Sequence, residues 1–157
     1  MHTNMTAKVL ALPCACANMR RATRAITQLY DAALRPSGLR ITQFTLLQVL
    51  ERTGGPMTQA ALGDFLALDS TTLSRTLKPL QRSKWIRRRE GGDSRERRIE
   101  LALAGRRLLE RATPAWMRVQ RRLRADLGGR DWGALHQLST RAVAAVRRST
   151  DDRSSLE

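Results

Sequence analysis

Two groups of residues in this chain have the type and spacing to do chemistry. Cys14 and Cys16, its two cysteines, lie two positions apart in "PCACANMRRATRAITQLY" (13–30). Such a pair could be buried packing, metal ligands or a thiol switch. The second group is Ser70, Thr71, Thr72, Ser74, Arg75 and Lys78, interleaved with Leu73, Leu77 and Leu80. On a helix the leucines share one face, and the hydroxyl and basic side chains are left on the other.

For the cysteines, metal binding is the weakest option, because His2 and His136 lie far away and no zinc spacing is present. No Ser/His/Asp or Cys/His arrangement is legible, and no motif calls for a cofactor, so the chain does not read as an enzyme. A thiol switch has a physical basis. Pro13 suits a first helical turn, which would set Cys14 near the positive end of the helix and Cys16 just inside it. Arg20 follows Cys16 by one turn, where a guanidinium can stabilise a thiolate. Side chains two apart on a helix diverge by about 200°, so a Cys14–Cys16 disulfide would need local unwinding. A sulfenic acid, or a disulfide to an external thiol or another subunit, fits better.

For the second group the chemistry is recognition of DNA. Threonine methyls can meet thymine methyls, hydroxyls can reach bases or phosphates, and arginine can bridge guanine O6 and N7. Composition agrees. The 157 residues carry 29 Lys+Arg against 14 Asp+Glu, a net +15, which calls for a polyanionic partner. Hydrophobic content is 41% but aromatic content only 4%, so the core must be built from aliphatic side chains, as in packed helices. The length allows one domain. No segment approaches the roughly 20 apolar residues of a membrane span. "AKVLALPCACA" only loosely resembles a signal core, and it reads as part of the mature protein in the cytoplasm.

The elements that must position these residues follow from periodicity. Ala15, Met19, Ala22, Ile26, Leu29 and Ala33 step by four and three, a helix ended by "RPSG" (35–38). Thr42 is expected to cap a second helix, stopped by "TGGP" (53–56). Thr58 caps a short helix through Leu66, and Asp69 or Ser70 caps the one carrying the recognition group, which makes a helix-turn-helix. Trp85–Ile86 and Ile99–Leu101 flank a Gly-rich, charged tip and predict a two-stranded hairpin. From Arg82 to Arg98 this hairpin holds eight basic and three acidic residues, suited to phosphate tracking and minor-groove insertion. Leu109, Ala112, Trp116, Val119, Leu123 and Leu127 predict a long helix that Pro114 should kink. "GGRD" (128–131) separates a last helix with the stripe Leu135, Leu138, Ala142 and Val146, followed by a polar tail expected to fray.

Over roughly residues 16–147 the sequence resembles the MarR family of winged-helix transcriptional regulators. The resemblance rests on "GLRITQFTLLQVL", "MTQAALGDFLALDSTTLSRTLKPLQRSKWIRR" and "GDSRERRIELALAGRRLLE". Asp93-x-Arg95 matches the wing motif, and Leu101-x-x-x-Gly105 matches the entry to the long helix. Ala102 stands where threonine is usual, and Lys84 where glycine usually ends the recognition helix. The resemblance implies that Arg95 enters the minor groove, that Asp93 positions the wing, and that Arg97 is a further phosphate contact. It also implies a homodimer joined by the first, fifth and sixth helices, on a pseudo-palindromic operator with half-sites near 10 base pairs apart.

Within that family, "CANMRRATRAITQLY" is similar to the first helix of the OhrR-like hydroperoxide sensors. The match rests on Cys16, on Arg24, Ala25 and Thr27, and on Tyr30, while Arg20 and Ile41 replace further tyrosines. By that resemblance Cys16 is the peroxidatic position, and Tyr30 would meet the partner subunit's copy of it.

The expected fold is therefore mainly α with a small β-hairpin wing, one domain over 1–157. Residues 13–36 and 103–148 form a helical dimerisation region, and 42–102 a winged helix-turn-helix. The expected function is a dimeric DNA-binding transcriptional regulator, a repressor released by an inducer or by cysteine oxidation. The alternatives are a response to a small aromatic or anionic ligand with structural cysteines, and a non-specific basic nucleic-acid-binding protein.

Overall fold

The computed structural model describes residues 12–90 and 97–154. Helix α1 spans Ala15–Leu34 and passes through a 3-10 turn at Arg35–Ser37 into Gly38, whose φ of 72° lies in the left-handed region. Helix α2 spans Ile41–Thr53. Its cap differs from the expectation, because Thr42 lies inside the helix. The first turn is instead held by Asp31 of α1, whose Oδ1 accepts from the Ile41 N–H at 2.7 Å, and by Gln43 Oε1, which accepts from the Arg40 N–H at 3.0 Å. The turn at Gly38 folds α1 back onto α2, so a carboxylate ten residues upstream takes over the cap. Gly54, at φ 66°, ends α2 as expected.

Strand β1 (Met57–Thr58), helix α3 (Gln59–Leu66) and helix α4 (Ser70–Arg82) follow, then strands β2 (Ile86–Glu90) and β3 (Arg97–Leu101) and helix α5 (Leu103–Ser154). The expected hairpin is β2–β3, in the register Ile86↔Leu101, Arg87↔Glu100 and Arg88↔Ile99. It gains a third strand, since β1 pairs with β3 through Met57↔Ile99 and Thr58↔Arg98, giving the order β1-β3-β2. Two residues are too few to show alternation, and this strand exists only because β3 offers an edge to it.

Phe44, Leu46, Leu47 and Leu50 of α2 form one apolar core with Leu62 of α3, Leu73, Leu77 and Leu80 of α4, Ile86 and Ile99 of the sheet, and Leu108, Leu109 and Ala112 of α5. Trp116 extends it, its ring 5.6 Å from that of Phe44. Gly105 sets how α5 meets the sheet. A Cβ there would stand 2.8 Å from Leu101 Cδ1 and 2.9 Å from the Trp85 carbonyl carbon, and closer still to the Trp85 carbonyl oxygen. Only glycine lets the helix start this close to the strand.

Pro114 does not break α5; the backbone leaves helical dihedrals only at Gly128 (φ 78°, ψ 160°), within the "GGRD" expected to separate the last helix. Proline leaves the carbonyl four residues back without its helical donor. Glu110 occupies that position and is exposed, so water can serve it. The helix also continues to Ser154, through the tail expected to fray. Leu109, Ala112 and Val119 are buried, but the seam then surfaces: Leu127 is 42%, Leu138 58% and Val146 69% exposed. No helix among the described residues is long and apolar enough to cross a membrane.

Candidate nucleic-acid interface

Helices α3 and α4 are joined by a turn at Ala67 with φ 53°. Each start is capped by its own side chain. Thr58 Oγ1 accepts from the Ala61 N–H at 3.1 Å, and Asp69 Oδ1 accepts from the Thr72 N–H at 2.8 Å. Thr72 also donates its hydroxyl to Asp69 Oδ2 at 2.6 Å. These bonds from Thr72 hold the Asp69 carboxyl below the usual carboxylate range. They also commit the Thr72 hydroxyl to the cap, so its methyl is the part left for a base.

The packing of α4 divides as its periodicity predicts. Leu73, Leu77 and Leu80 are buried, whereas Ser70, Thr71, Thr72, Ser74, Arg75 and Lys78 are all exposed along one surface. Pro79 sits inside the helix, beyond the first two turns that carry most of this surface. At the exit Lys84 has φ 56°, a left-handed backbone that explains why glycine is usual there. The chain then enters the wing through the Trp85 N–H to Leu80 carbonyl bond at 3.0 Å. Ala102 donates its N–H to the Trp85 carbonyl at 3.0 Å and stands at the N-cap of α5, where a threonine hydroxyl would cap and a methyl cannot.

Asp93 and Arg95, at the wing tip, lie outside the described residues. Arg97 starts β3 opposite Glu90. Sequence reasoning did not single out Glu100, at 8% exposure the one buried charged residue among those described. Its Oε1 accepts from Arg89 Nε at 3.0 Å and from Arg87 Nε. Burial pushes its carboxyl up, but the hydrogen bonds and charges of Arg89 and Arg87 together outweigh this and hold it below the usual range. The alternation of a strand held the signal, since Arg87 and Arg89 share a face with Glu100, as does Arg98, which stands opposite Arg89.

At the other end of the molecule Cys14 is the N-cap of α1, with an extended backbone at φ −108° and ψ 124°, so Pro13 lies outside the first turn. Asn18 fastens this lead-in. Its Nδ2 donates to the Cys14 carbonyl at 3.0 Å, and its Oδ1 accepts from the Leu12 N–H at 2.9 Å. The divergence expected of two helical cysteines therefore does not apply, because only Cys16 is helical. Both thiols are exposed and line one hollow with Arg20, Arg21 and Arg24. Arg20 Nη2 approaches Cys16 Sγ at 4.0 Å. Tyr30 is 6% exposed within a single chain, and burial pushes its phenol up. That leaves little of it for a partner's cysteine to meet. His136 lies edge-on to Trp132 at 4.6 Å. Among the described residues no three His, Cys, Asp or Glu side chains gather as metal ligands would.

The comparisons with known proteins agree with this geometry. The MarR family model matches residues 37–96, the span from the end of α1 to the wing tip. An uncharacterised HTH-type transcriptional regulator of Bacillus subtilis, YwoH, is 31% identical over 120 residues, 76% of this chain and 87% of that protein. The crystal structure of the M. tuberculosis transcriptional regulator MosR in complex with DNA superposes with a TM-score of 0.78 at 38% identity, covering 86% of this chain and 97% of that one. A probable transcriptional regulator from Pseudomonas aeruginosa gives a TM-score of 0.74 at 27% identity, over 83% of this chain and 97% of that one. These relatives are transcriptional regulators, not enzymes. The chain belongs to the MarR family of winged-helix, DNA-binding transcriptional regulators.

Proposed function

We propose that this MarR-family regulator is a homodimeric repressor that binds a pseudo-palindromic operator and is released when Cys16 is oxidised. Residues 13–36 and 103–148 would join the subunits, and 42–102 would read DNA. Ser70, Thr71, Ser74, Arg75 and Lys78 present base- or phosphate-seeking groups, with the Thr72 methyl beside them. Arg95 and Arg97 extend the contact along the wing, with Asp93 positioning it. The dimer reading is supported by apolar side chains a soluble monomer would cover: Met19, Met117, Leu127 and Leu138 are each 40% exposed or more.

The observation that carries the redox reading is the exposed Cys16 thiol with Arg20 Nη2 4.0 Å from its sulfur. A hydroperoxide would be attacked by the thiolate at its outer oxygen. The S–O bond forms, the O–O bond breaks, and the products are a sulfenic acid and an alcohol. Condensation with a second thiol then expels water. Because Cys14 stands outside the helix, it joins external thiols as a candidate partner. The test is operator binding before and after hydroperoxide. Wild type should lose affinity, and Cys16→Ser should not. An oxidant-insensitive wild type overturns the redox reading and leaves the DNA reading standing.

A second reading has its own observation. An open hollow of ≈ 470 Å³ lies between α1, the turn after α3 and the last part of α5, lined by Met19, Thr23, Ala67, Val143 and Arg147 among others. Arg147 also donates to the Asp64 carbonyl at the end of α3, tying the last helix to the DNA-reading part. A small aromatic acid would find apolar walls and a guanidinium there. Loss of operator binding on adding such an acid, in the Cys16→Ser variant, would favour it. Equal affinity for operator and random duplex at matched salt would instead favour a non-specific basic protein.

A further inference from the structure

The wing carries three consecutive arginines, Arg87, Arg88 and Arg89, on β2, the outer strand of the order β1-β3-β2. Charged residues on an outer strand often serve only to keep it from pairing with another molecule. Here two of the three are organised further. Arg87 and Arg89 share a face, and both bring Nε to the same oxygen of Glu100 on the central strand β3. The Glu100 side chain is 11% exposed, whereas those of Arg87 and Arg89 are 62% and 59% exposed. The carboxylate is thus sunk beneath the pair while the guanidinium ends face water. Two like charges this close would otherwise spread apart.

The location is next to the recognition surface. Arg87 lines a shallow hollow of ≈ 620 Å³ between the end of α4 and the base of the wing, together with Gln81, Lys84 and Arg88. Gln81 Nε2 is buried there without a hydrogen-bond partner among the described residues, a donor lacking an acceptor. The Gln81 amide is itself closed to a ligand, but the exposed guanidinium forks of the wing are complementary to the oxygens of a phosphodiester backbone.

We propose that Arg87 and Arg89 form a clamp for DNA phosphate and that Glu100 is its positioning residue. Glu100 fixes the direction of both forks and cancels one of their two charges. It thereby lowers the sequence-independent part of DNA affinity, so its effect is on specificity. The proposal rests on the DNA-binding reading of the same wing.

The test titrates the full-length protein against a duplex from upstream of its own gene and a random duplex of equal length, between about 50 and 200 mM salt. Arg87→Ala and Arg89→Ala should each flatten the plot of log K against log salt by about 1. Glu100→Gln keeps the shape and an acceptor oxygen but removes the charge. On random duplex it should steepen the slope by about 0.9 and tighten binding several-fold, lowering the ratio of specific to random affinity. Glu110→Gln removes the same charge from an exposed site on α5 and should change neither slope. If Glu100→Gln and Glu110→Gln behave alike, the positioning role is wrong. If both arginine variants keep the wild-type slope, there is no clamp. Failure of wild type to bind either duplex would overturn the DNA reading itself, a separate outcome.

Discussion

The DNA-reading part and the helical part of this molecule are finished to different degrees. Between Arg40 and Leu101 both short helices have side-chain caps, the apolar faces meet in one core, and the buried carboxylate is bonded to two arginines. In α1 and in α5 beyond Val119, apolar side chains at helical spacing surface instead. The first region holds its shape within one chain. The second has the surface of a protein that is completed by something else, which is the strongest physical argument for a second subunit.

That contrast can be broken or sharpened by substitution. The largest effect is expected at Phe44, fully buried and in ring contact with Trp116, where it joins the two regions. Phe44→Ala should cost about 3–5 kcal/mol and lower the thermal midpoint by about 10 °C, read by circular dichroism. Next comes the double change Leu127→Asp with Leu138→Asp. It should leave the helical content intact, shift sedimentation to the monomer, and weaken operator binding about 10²-fold by removing the linked second half-site. A dimer that survives both changes would locate the subunit contact elsewhere.

A smaller effect, in the stabilising direction, is expected at the seam of the two regions. Ala102→Ser supplies the hydroxyl missing from the start of α5 and should add about 1 kcal/mol, measurable as a raised urea midpoint. The smallest concerns acid. Asp69 and Glu100 are both held below their ordinary values, so each contributes stability that is complete above its unfolded value and lost as pH falls through the folded one. Stability should therefore be flat from these two groups between about pH 5 and 8 and fall below about pH 4. Asp69→Asn should reduce that acid dependence. An unchanged profile in Asp69→Asn would mean the Thr72 bonds do not persist in solution.

Much of this was legible in the sequence because it is local. A cap three residues from its donor, a leucine every third or fourth position and a glycine at a left-handed turn each announce themselves, and α3, α4 and the hairpin follow from such signals. What was missed depends on tertiary contact. Asp31 caps α2 only because the chain doubles back at Gly38, and β1 is a strand only beside β3. Pro114 looked able to interrupt the long helix, yet the helix runs through it, beside the exposed residue Glu110 one turn earlier, and the break falls at Gly128, where the "GGRD" letters had placed it. Of the candidate site, the exposed face of α4 follows from periodicity, whereas the role of Glu100 needed the strand register. The departures at Lys84 and Ala102 were visible as letters, and their meaning came from a left-handed dihedral and an empty cap.

The contact at Gly105 has a mechanical consequence. With no side chain to act as padding, the start of α5 bears directly on the backbone at Trp85, the residue before the strand that leads into the wing. From there to Gly128 the helix is an unbroken rod about 34 Å long. Such a rod works as a lever pivoted at the wing's base. A tilt of only about 5° displaces its far end by about 3 Å, and the same tilt read in reverse turns a small shift among the distant helices into a rotation of the wing.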